Sequence, residues 1–229
     1  MVALCRRHHV PPAAADRLLA LLVALAAEAD PPTTIVDPKR ALDEHVADSL
    51  AGLELQVMRK VKTIADVGAG AGFPGLALAV ALPAARVDLI ESVARKCATI
   101  ERLAAAAGVP NARTIPARAE DWGRGEGREL YSAVTARAVA PLAVLCEYAA
   151  PLLAPGGTLV CWKGARRGDE ERAGARTAEL LGLRPLPPLH VEPFPGAHSR
   201  HLHPFEKVAP TPQRFPRRAG AAAKRPLAA

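Results

Sequence analysis

The chain has 229 residues, half of them hydrophobic yet only 3% aromatic, and a net charge of +7. That length holds one α/β domain with a full core, or two small ones, and the apolar share excludes a disordered or fibrous chain. Cys5, Cys97, Cys146 and Cys161 are scattered with no C-x-x-C pair, which argues against a disulfide framework or a zinc site and fits reduced thiols in the cytoplasm.

The charge is unevenly placed. After Glu206 there is no acid, while Lys207, Arg214, Arg217, Arg218, Lys224 and Arg225 supply nearly all the excess. A near-neutral body with a basic, Pro/Ala-rich tail reads as a folded domain carrying an arm for a polyanion such as RNA; the plainer alternative is a solvated tail.

In chain order, residues 13–29 read as one helix. Residues 18–27 are all apolar, far short of the roughly 20 needed to cross a bilayer. Arg6-Arg7 and Ala27-Glu28-Ala29 frame this run like a secretion signal, but Asp16 and Arg17 abut it and Pro11-Pro12 interrupt the approach. It is read as the apolar face of a helix, with no membrane association. Asp37-Pro38 starts a second helix, Asp as cap and Pro at the first position, and Leu42, Val46, Leu50 and Leu53 recur at helical spacing to about Leu55. Residues 1–58 are therefore expected to form a helical cap on a main domain spanning 59–208, with 209–229 as the tail.

From Lys60 strand and helix alternate. Strands are predicted at Val61–Val67, Arg86–Glu91, Ala112–Pro116, Tyr131–Arg137 and Thr158–Lys163, with helices at Pro74–Leu82, Val93–Ala107 and Pro141–Leu153. Trp122–Glu129 is rich in Gly and charge and reads as a loop. Residues 166–180 suit one more helix, the Pro-rich 185–195 a connection, and 200–208 a last strand. This order implies an α/β fold with a mostly parallel sheet covered on both faces.

The most informative stretch is Ile64-Ala65-Asp66-Val67-Gly68-Ala69-Gly70-Ala71-Gly72-Phe73-Pro74-Gly75: strand, tight turn, helix start. Such a turn lets a nucleotide-like ligand approach bare backbone at the carboxyl ends of the strands. Gly70-x-Gly72-x-x-Gly75 matches the dinucleotide pattern, but weakly. Counted from Gly68, the third pattern position is Phe73, followed by Pro74, which has no amide to donate. Asp66 at the strand end repels pyrophosphate and suits a ligand bearing ammonium and sulfonium, which favours S-adenosylmethionine over a dinucleotide. Glu91 closes the second strand where an acid accepts ribose hydroxyls, or it is a solvated strand-end carboxylate. Ala119-Glu120-Asp121 follows the third strand, and Pro155-Gly156-Gly157 turns into the fifth. The three blocks together signal a class I methyltransferase more strongly than any one alone.

Together, Asp66 to Leu76, Leu89-Ile90-Glu91-Ser92, Lys96, Arg118-Ala119-Glu120-Asp121, Thr135-Ala136-Arg137-Ala138-Val139-Ala140-Pro141-Leu142 and Trp162-Lys163-Gly164 resemble the bacterial GidB/RsmG family. The likeness runs from Asp37-Pro38, His45 and Asp48-Ser49-Leu50 to Thr211–Gly220 and Lys224–Leu227, about residues 35–227. The resemblance implies a class I, Rossmann-like S-adenosylmethionine-dependent enzyme that methylates N7 of guanine 527 in 16S ribosomal RNA, with Gly68, Phe73, the Ala119-Glu120 pair and Arg137 contacting the cofactor. Where the family carries Trp-Asn and Asn-Leu-Thr, this chain has Ala26 to Thr34.

Guanine N7 has an in-plane lone pair and no proton to remove, so attack on a sulfonium methyl needs alignment rather than a general base. The end of the fourth strand lacks the Asn/Asp-Pro-Pro-aromatic motif of exocyclic-amine methylases and reads Ala136-Arg137-Ala138-Val139. Cys146, inside a helix, reads as core rather than nucleophile. Arg137 is expected to reach the cofactor carboxylate or the guanine face, or else to pair with Glu120 or Asp121. Asp66, Gly70 and Glu91 complete the expected cofactor set; Lys163 and the tail cations Arg214, Arg217, Arg218, Lys224 and Arg225 are the expected RNA contacts. His198, His201 and His203 read as strand surface or RNA contact, not as a metal site. The expected partner is 16S ribosomal RNA or the small subunit, bound by a monomer. A methyltransferase of another RNA position or of a small molecule, and a non-enzymatic RNA-binding protein with a relic cofactor fold, remain the alternatives.

Overall fold

The computed structural model of the chain describes residues 1–35 and 37–228. Its first helices, α1 (Val2–Arg7) and α2 (Ala14–Ala27), lead to α3 (Pro38–Ala41). The Asp37 carboxylate caps α3 by accepting from the Arg40 amide at 2.8 Å. The helix then widens into a π-turn over Leu42–Ala47, returns to α4 (Asp48–Leu50) and tightens to 3-10 geometry over Ala51–Glu54. One predicted helix is thus a run of changing pitch, and π-turns of this kind recur at functional sites.

The main body follows as β1 (Thr63–Val67), α5 (Gly75–Ala81), β2 (Arg86–Ile90), α6 (Ala94–Ala106), β3 (Ala112–Ile115) and α7 (Ala119–Arg124). It continues with β4 (Tyr131–Arg137), α8 (Leu142–Ala149), β5 (Leu153–Lys163), α9 (Gly168–Leu180), β6 (Leu183–Pro185), β7 (Leu189–Val191), β8 (Arg200–Lys207) and α10 (Ala221–Lys224). The sheet order is β3-β2-β1-β4-β5-β8-β6, with β7 also paired to β8. β1 to β5 are parallel, and β8 runs antiparallel to β5.

Alternation along the strands divides the core into two layers. Ile64, Ala133 and Val160 pack with α2, α5 and α6, while Ala65, Val134 and Leu159 pack with α8 and α9. The expected mostly parallel sheet with helices on both faces is what the chain forms. Within α2, Leu18, Leu21 and Leu25 are buried in the same cluster as Val46, Leu50, Leu76 and Val87, so the N-terminal helices share a core with the sheet. Among the described residues no helix is long and apolar enough to cross a membrane.

Three expectations need correction. Residues 119–124 form α7 rather than leaving all of 122–129 as loop, with Gly123 packed closely against Pro151, which a Cβ there would meet at 3.3 Å. The Pro-rich connection contributes β7, with β6 just before it. The tail is not a free arm over its length. Lys207 is buried, donates to the Ala150 carbonyl at 2.7 Å and bonds Thr211; burial pulls its pKa down to about 8. Phe215 lies in the α8 layer.

The firmest tail anchor is Arg217. Its Nε and Nη2 donate to the two oxygens of Glu147 at 2.8 and 2.6 Å, and its amide adds a third bond at 3.1 Å. Glu147 is a buried acid within the apolar α8. Removing the Arg217 side chain leaves that carboxylate dry, without a counter-charge and with only the amide bond. The Arg217→Ala variant is expected to lose roughly 3 kcal/mol of unfolding free energy, low in the range for an orphaned buried charge because the guanidinium edge meets solvent. Urea denaturation checks this; an unchanged midpoint would contradict the clamp.

Candidate active-site cleft

The strand order reverses between β1 and β4, which opens a crevice outside their carboxyl ends. Here a cleft of about 500 Å³ is lined on one side by Gly68, Gly70 and Phe73 and on the other by His45, Asp48 and Arg137. Gly68 has φ +67°, and a Cβ there strikes the Val139 side chain at 2.7 Å, so only glycine fits. A Cβ at Gly70 meets nothing nearer than the Gly68 carbonyl at 3.8 Å. A side chain at Gly70 projects into open space, and the loop offers bare backbone to the cleft.

Asp66 holds this loop from beneath. The Thr135 hydroxyl donates to one carboxylate oxygen at 2.7 Å and the Gly75 amide to the other at 2.9 Å. Burial pushes its pKa up to about 6, against the lowering effect of those two donors. Glu91 flanks the loop, accepting from the Gly70 amide at 3.1 Å and the Val93 amide at 2.9 Å. Ala119 and Glu120 are both buried at the start of α7. The Glu120 carboxylate accepts from the Gly220 amide at 2.7 Å, so its side chain anchors the tail.

Arg137 does not pair with Glu120 or Asp121. Its Nη1 donates to Asp48 at 2.9 Å and to the Glu44 carbonyl at 2.7 Å, which binds β4 to the π-turn. Asp48 also draws in two further strands: the Trp162 indole donates to its carbonyl at 2.8 Å, and Arg200 Nε lies 3.6 Å from its Oδ1. His45, one turn earlier, stacks on Phe73 with centroids 4.9 Å apart and planes 17° from parallel. Its Nε2 lies 3.2 Å from the Thr33 hydroxyl. Burial holds its pKa down to about 4, with Arg137 adding to the effect, so the ring is neutral. None of His45, Asp48, Arg200 or Lys96 was picked out by role in the sequence; all four line the cleft.

Lys163 also lines the cleft but is tied back, its Nζ 2.6 Å from Glu170 and 3.3 Å from the Ala140 carbonyl. His201 faces the Gly164 carbonyl at 3.1 Å and neighbours His203, as strand alternation requires. Among the described residues no three His, Cys, Asp or Glu side chains gather as metal ligands. Cys146 is buried, which raises its thiol pKa well above the ordinary value. Arg214, Arg218, Lys224 and Arg225 stay exposed on the tail.

An open sheet of this order, with an antiparallel strand beside β5 and a glycine loop at the switch point, is the class I methyltransferase, Rossmann-like fold. Fibrillarin of Aeropyrum pernix, solved with natively bound S-adenosyl-L-methionine, superposes with a TM-score of 0.54 at 18% identity, covering 69% of this chain and 72% of that chain. The chain belongs to the family described as GidB, rRNA small subunit methyltransferase G, which matches residues 15–202. Relatives named ribosomal RNA small subunit methyltransferase G include that of Rubrobacter xylanophilus, 41% identical over 195 residues (83% of this chain, 75% of that one). Another, from Symbiobacterium thermophilum, is 38% identical over 201 residues (85% and 82%).

The His45 environment has a consequence for stability. The unfolded chain takes up a proton near the ordinary pKa of 6.5, whereas the folded site refuses it until about 4. Between those values the unfolded state binds more protons, so stability from His45 rises with pH and is complete above 6.5. Asp66 acts oppositely: its folded state carries the extra proton between 3.8 and about 6, a contribution lost as pH rises through 6. A His45→Gln variant keeps Asp66, so the difference from wild type isolates His45. That difference is expected to shrink by about 1.4 kcal/mol per pH unit on acidification across the window. Urea titrations measure it, and a pH-independent difference would contradict the neutral ring.

Proposed function

We propose that the chain methylates N7 of guanine 527 in 16S ribosomal RNA, with S-adenosylmethionine bound at the β1 to α5 loop and direct in-line transfer. The observation that carries this reading is the end of β4, where Arg137 and Ala138 enter the cleft in place of an amide- or acid-based amine-binding motif. The bare backbone at Gly68 and Gly70 fits a nucleoside donor, since any side chain at Gly70 takes the space beside it. When bound, S-adenosylmethionine supplies an electrophilic methyl group on a sulfonium.

The chain's own residues supply position and charge. Gly68, Gly70 and Phe73 form the surface for the donor, and Arg137, fixed by Asp48 and Glu44, keeps its remaining donors for a carboxylate or a purine face. Glu91 retains a lone pair on each oxygen for ribose hydroxyls beyond its two amide bonds. Ala119 and Glu120 offer backbone at the adenine edge, because the Glu120 side chain is engaged with Gly220. Guanine N7 carries no proton, so no general base is required, and holding the reactants aligned in a dry site carries the rate. Lys96 and Arg200 at the cleft supply cations for RNA phosphates, and the chain acts as a monomer in the cytoplasm on the small subunit or its RNA.

The Arg137→Ala variant is expected to lower methyl transfer to unmethylated 30S subunits by at least about tenfold, with the melting temperature showing a folded protein. Wild-type rates in a folded variant would remove Arg137 from the mechanism. For RNA binding, the exposed Arg214, Arg218, Lys224 and Arg225 are the tail cations to test, because truncation also removes buried Lys207 and Phe215. Replacing all four with Ala is expected to flatten the logarithmic salt dependence of RNA binding by roughly 3. An unchanged slope in filter binding would place the phosphate contacts elsewhere.

A further inference from the structure

Buried polar side-chain atoms are almost always partnered. Among the described residues four are not, and two of these, His45 Nδ1 and Asp48 Oδ1, belong to side chains lining the cleft. They sit three residues apart, on one side of the helical run that carries the π-turn, and each is more than nine-tenths buried as a residue. Leaving a buried donor and a buried acceptor idle costs free energy that a complementary ligand recovers.

Their chemistry follows from their neighbours. The Thr33 hydroxyl accepts from the Ile35 amide at 3.1 Å and lies 3.2 Å from His45 Nε2. The subsite uses the tautomer in which the hydroxyl donates to Nε2, which leaves Nδ1–H as the donor. Asp48 is an acceptor at both oxygens: Oδ2 is taken by Arg137, and Oδ1 has only the loose 3.6 Å approach of Arg200. The vacant pair is therefore one N–H donor beside one carboxylate acceptor.

We propose that His45 and Asp48 form the base-reading subsite of the cleft, His45 Nδ1–H donating to guanine O6 and Asp48 Oδ1 accepting from guanine N1–H and the N2 amine. This deepens the proposed function and rests on its reading of the acceptor as guanine. The subsite takes the Watson–Crick edge, which leaves N7, on the neighbouring Hoogsteen edge, free for in-line attack. Adenine presents an amine where guanine has O6 and a lone pair where guanine has N1–H, so both contacts reject it. The stack of His45 on Phe73 fixes the reading edge relative to the donor loop.

The test compares 30S subunits carrying guanine or inosine at the target position, the latter prepared by ligation of 16S rRNA fragments. Inosine lacks only the N2 amine. Wild type is expected to prefer guanine about tenfold in kcat/KM, as for loss of one hydrogen bond to a charged acceptor. Asp48→Asn is expected to lower the rate on guanine and to collapse the preference to about twofold, both substrates being compared at saturating S-adenosylmethionine. Intrinsic differences in N7 reactivity cancel between the two proteins. Asp48→Glu, which keeps the charge, is expected to retain part of the preference. His45→Phe, which keeps the stack, lowers both substrates alike, because both carry O6. A preference that survives in Asp48→Asn reduces Asp48 to a support for Arg137 and overturns the proposal. Equal wild-type rates on the two subunits overturn it as well, whether or not the variants fold. Absence of N7 transfer to guanine by wild type is a different outcome: it removes the proposed function itself, and the subsite with it.

Discussion

One buried carboxylate organises the cleft. Asp48 receives Arg137 from the end of β4, its carbonyl receives the Trp162 indole from β5, and Arg200 approaches from the start of β8. Three strands are thereby pinned to a helical turn that precedes the whole sheet in sequence. A buried ion pair contributes little net stability, because desolvation offsets most of the Coulomb attraction. What it does supply is direction: with one guanidinium nitrogen taken by Asp48 and Glu44, the remaining face of Arg137 is aimed rather than free. Strands from the far end of the chain thus depend on residues 44–48 for the geometry of their polar groups.

The opposite wall is built from backbone. Positive φ at Gly68 and the open space over Gly70 leave that part of the β1 to α5 loop as bare backbone, with Phe73 beyond it as the loop's aromatic contact to His45. Asp66, buried beneath, ties that loop to both α5 and β4 through Gly75 and Thr135. The cleft is therefore lined partly by glycine backbone and partly by charged side chains, the two meeting where His45 stacks on Phe73. That division of labour suits a reaction whose acceptor atom has no proton to lose and whose rate comes from alignment.

The sheet could be read from the sequence because its signal is local. Runs bounded by turn residues gave β1 to β4 within two residues at either end, and β4 at its full extent; β1, β2 and β4 are mostly buried, whereas the edge strand β3 is largely open to solvent. The Gly-rich turn was readable for the same reason. α7 was hidden because Gly123 and charged neighbours look like loop, and the close packing of Gly123 against Pro151 and Leu152 is a tertiary fact. The tail reads in the sequence as an arm for a polyanion because composition counts charges without their partners; Glu147, a lone acid in the apolar α8, is the available hint that a cation must come to it. The Asp48 junction had no local signal, since it joins residues 89 and 114 positions apart.

The central claim is that this cleft delivers a methyl group to the N7 of one guanine in small-subunit RNA. It is tested most directly by incubating the protein with 30S subunits lacking the modification and isotopically labelled S-adenosylmethionine, then locating the label by mass spectrometry of 16S rRNA digests. The account expects one labelled 7-methylguanosine, at position 527. Label on another nucleotide, on an exocyclic amine, or nowhere in the RNA would contradict it.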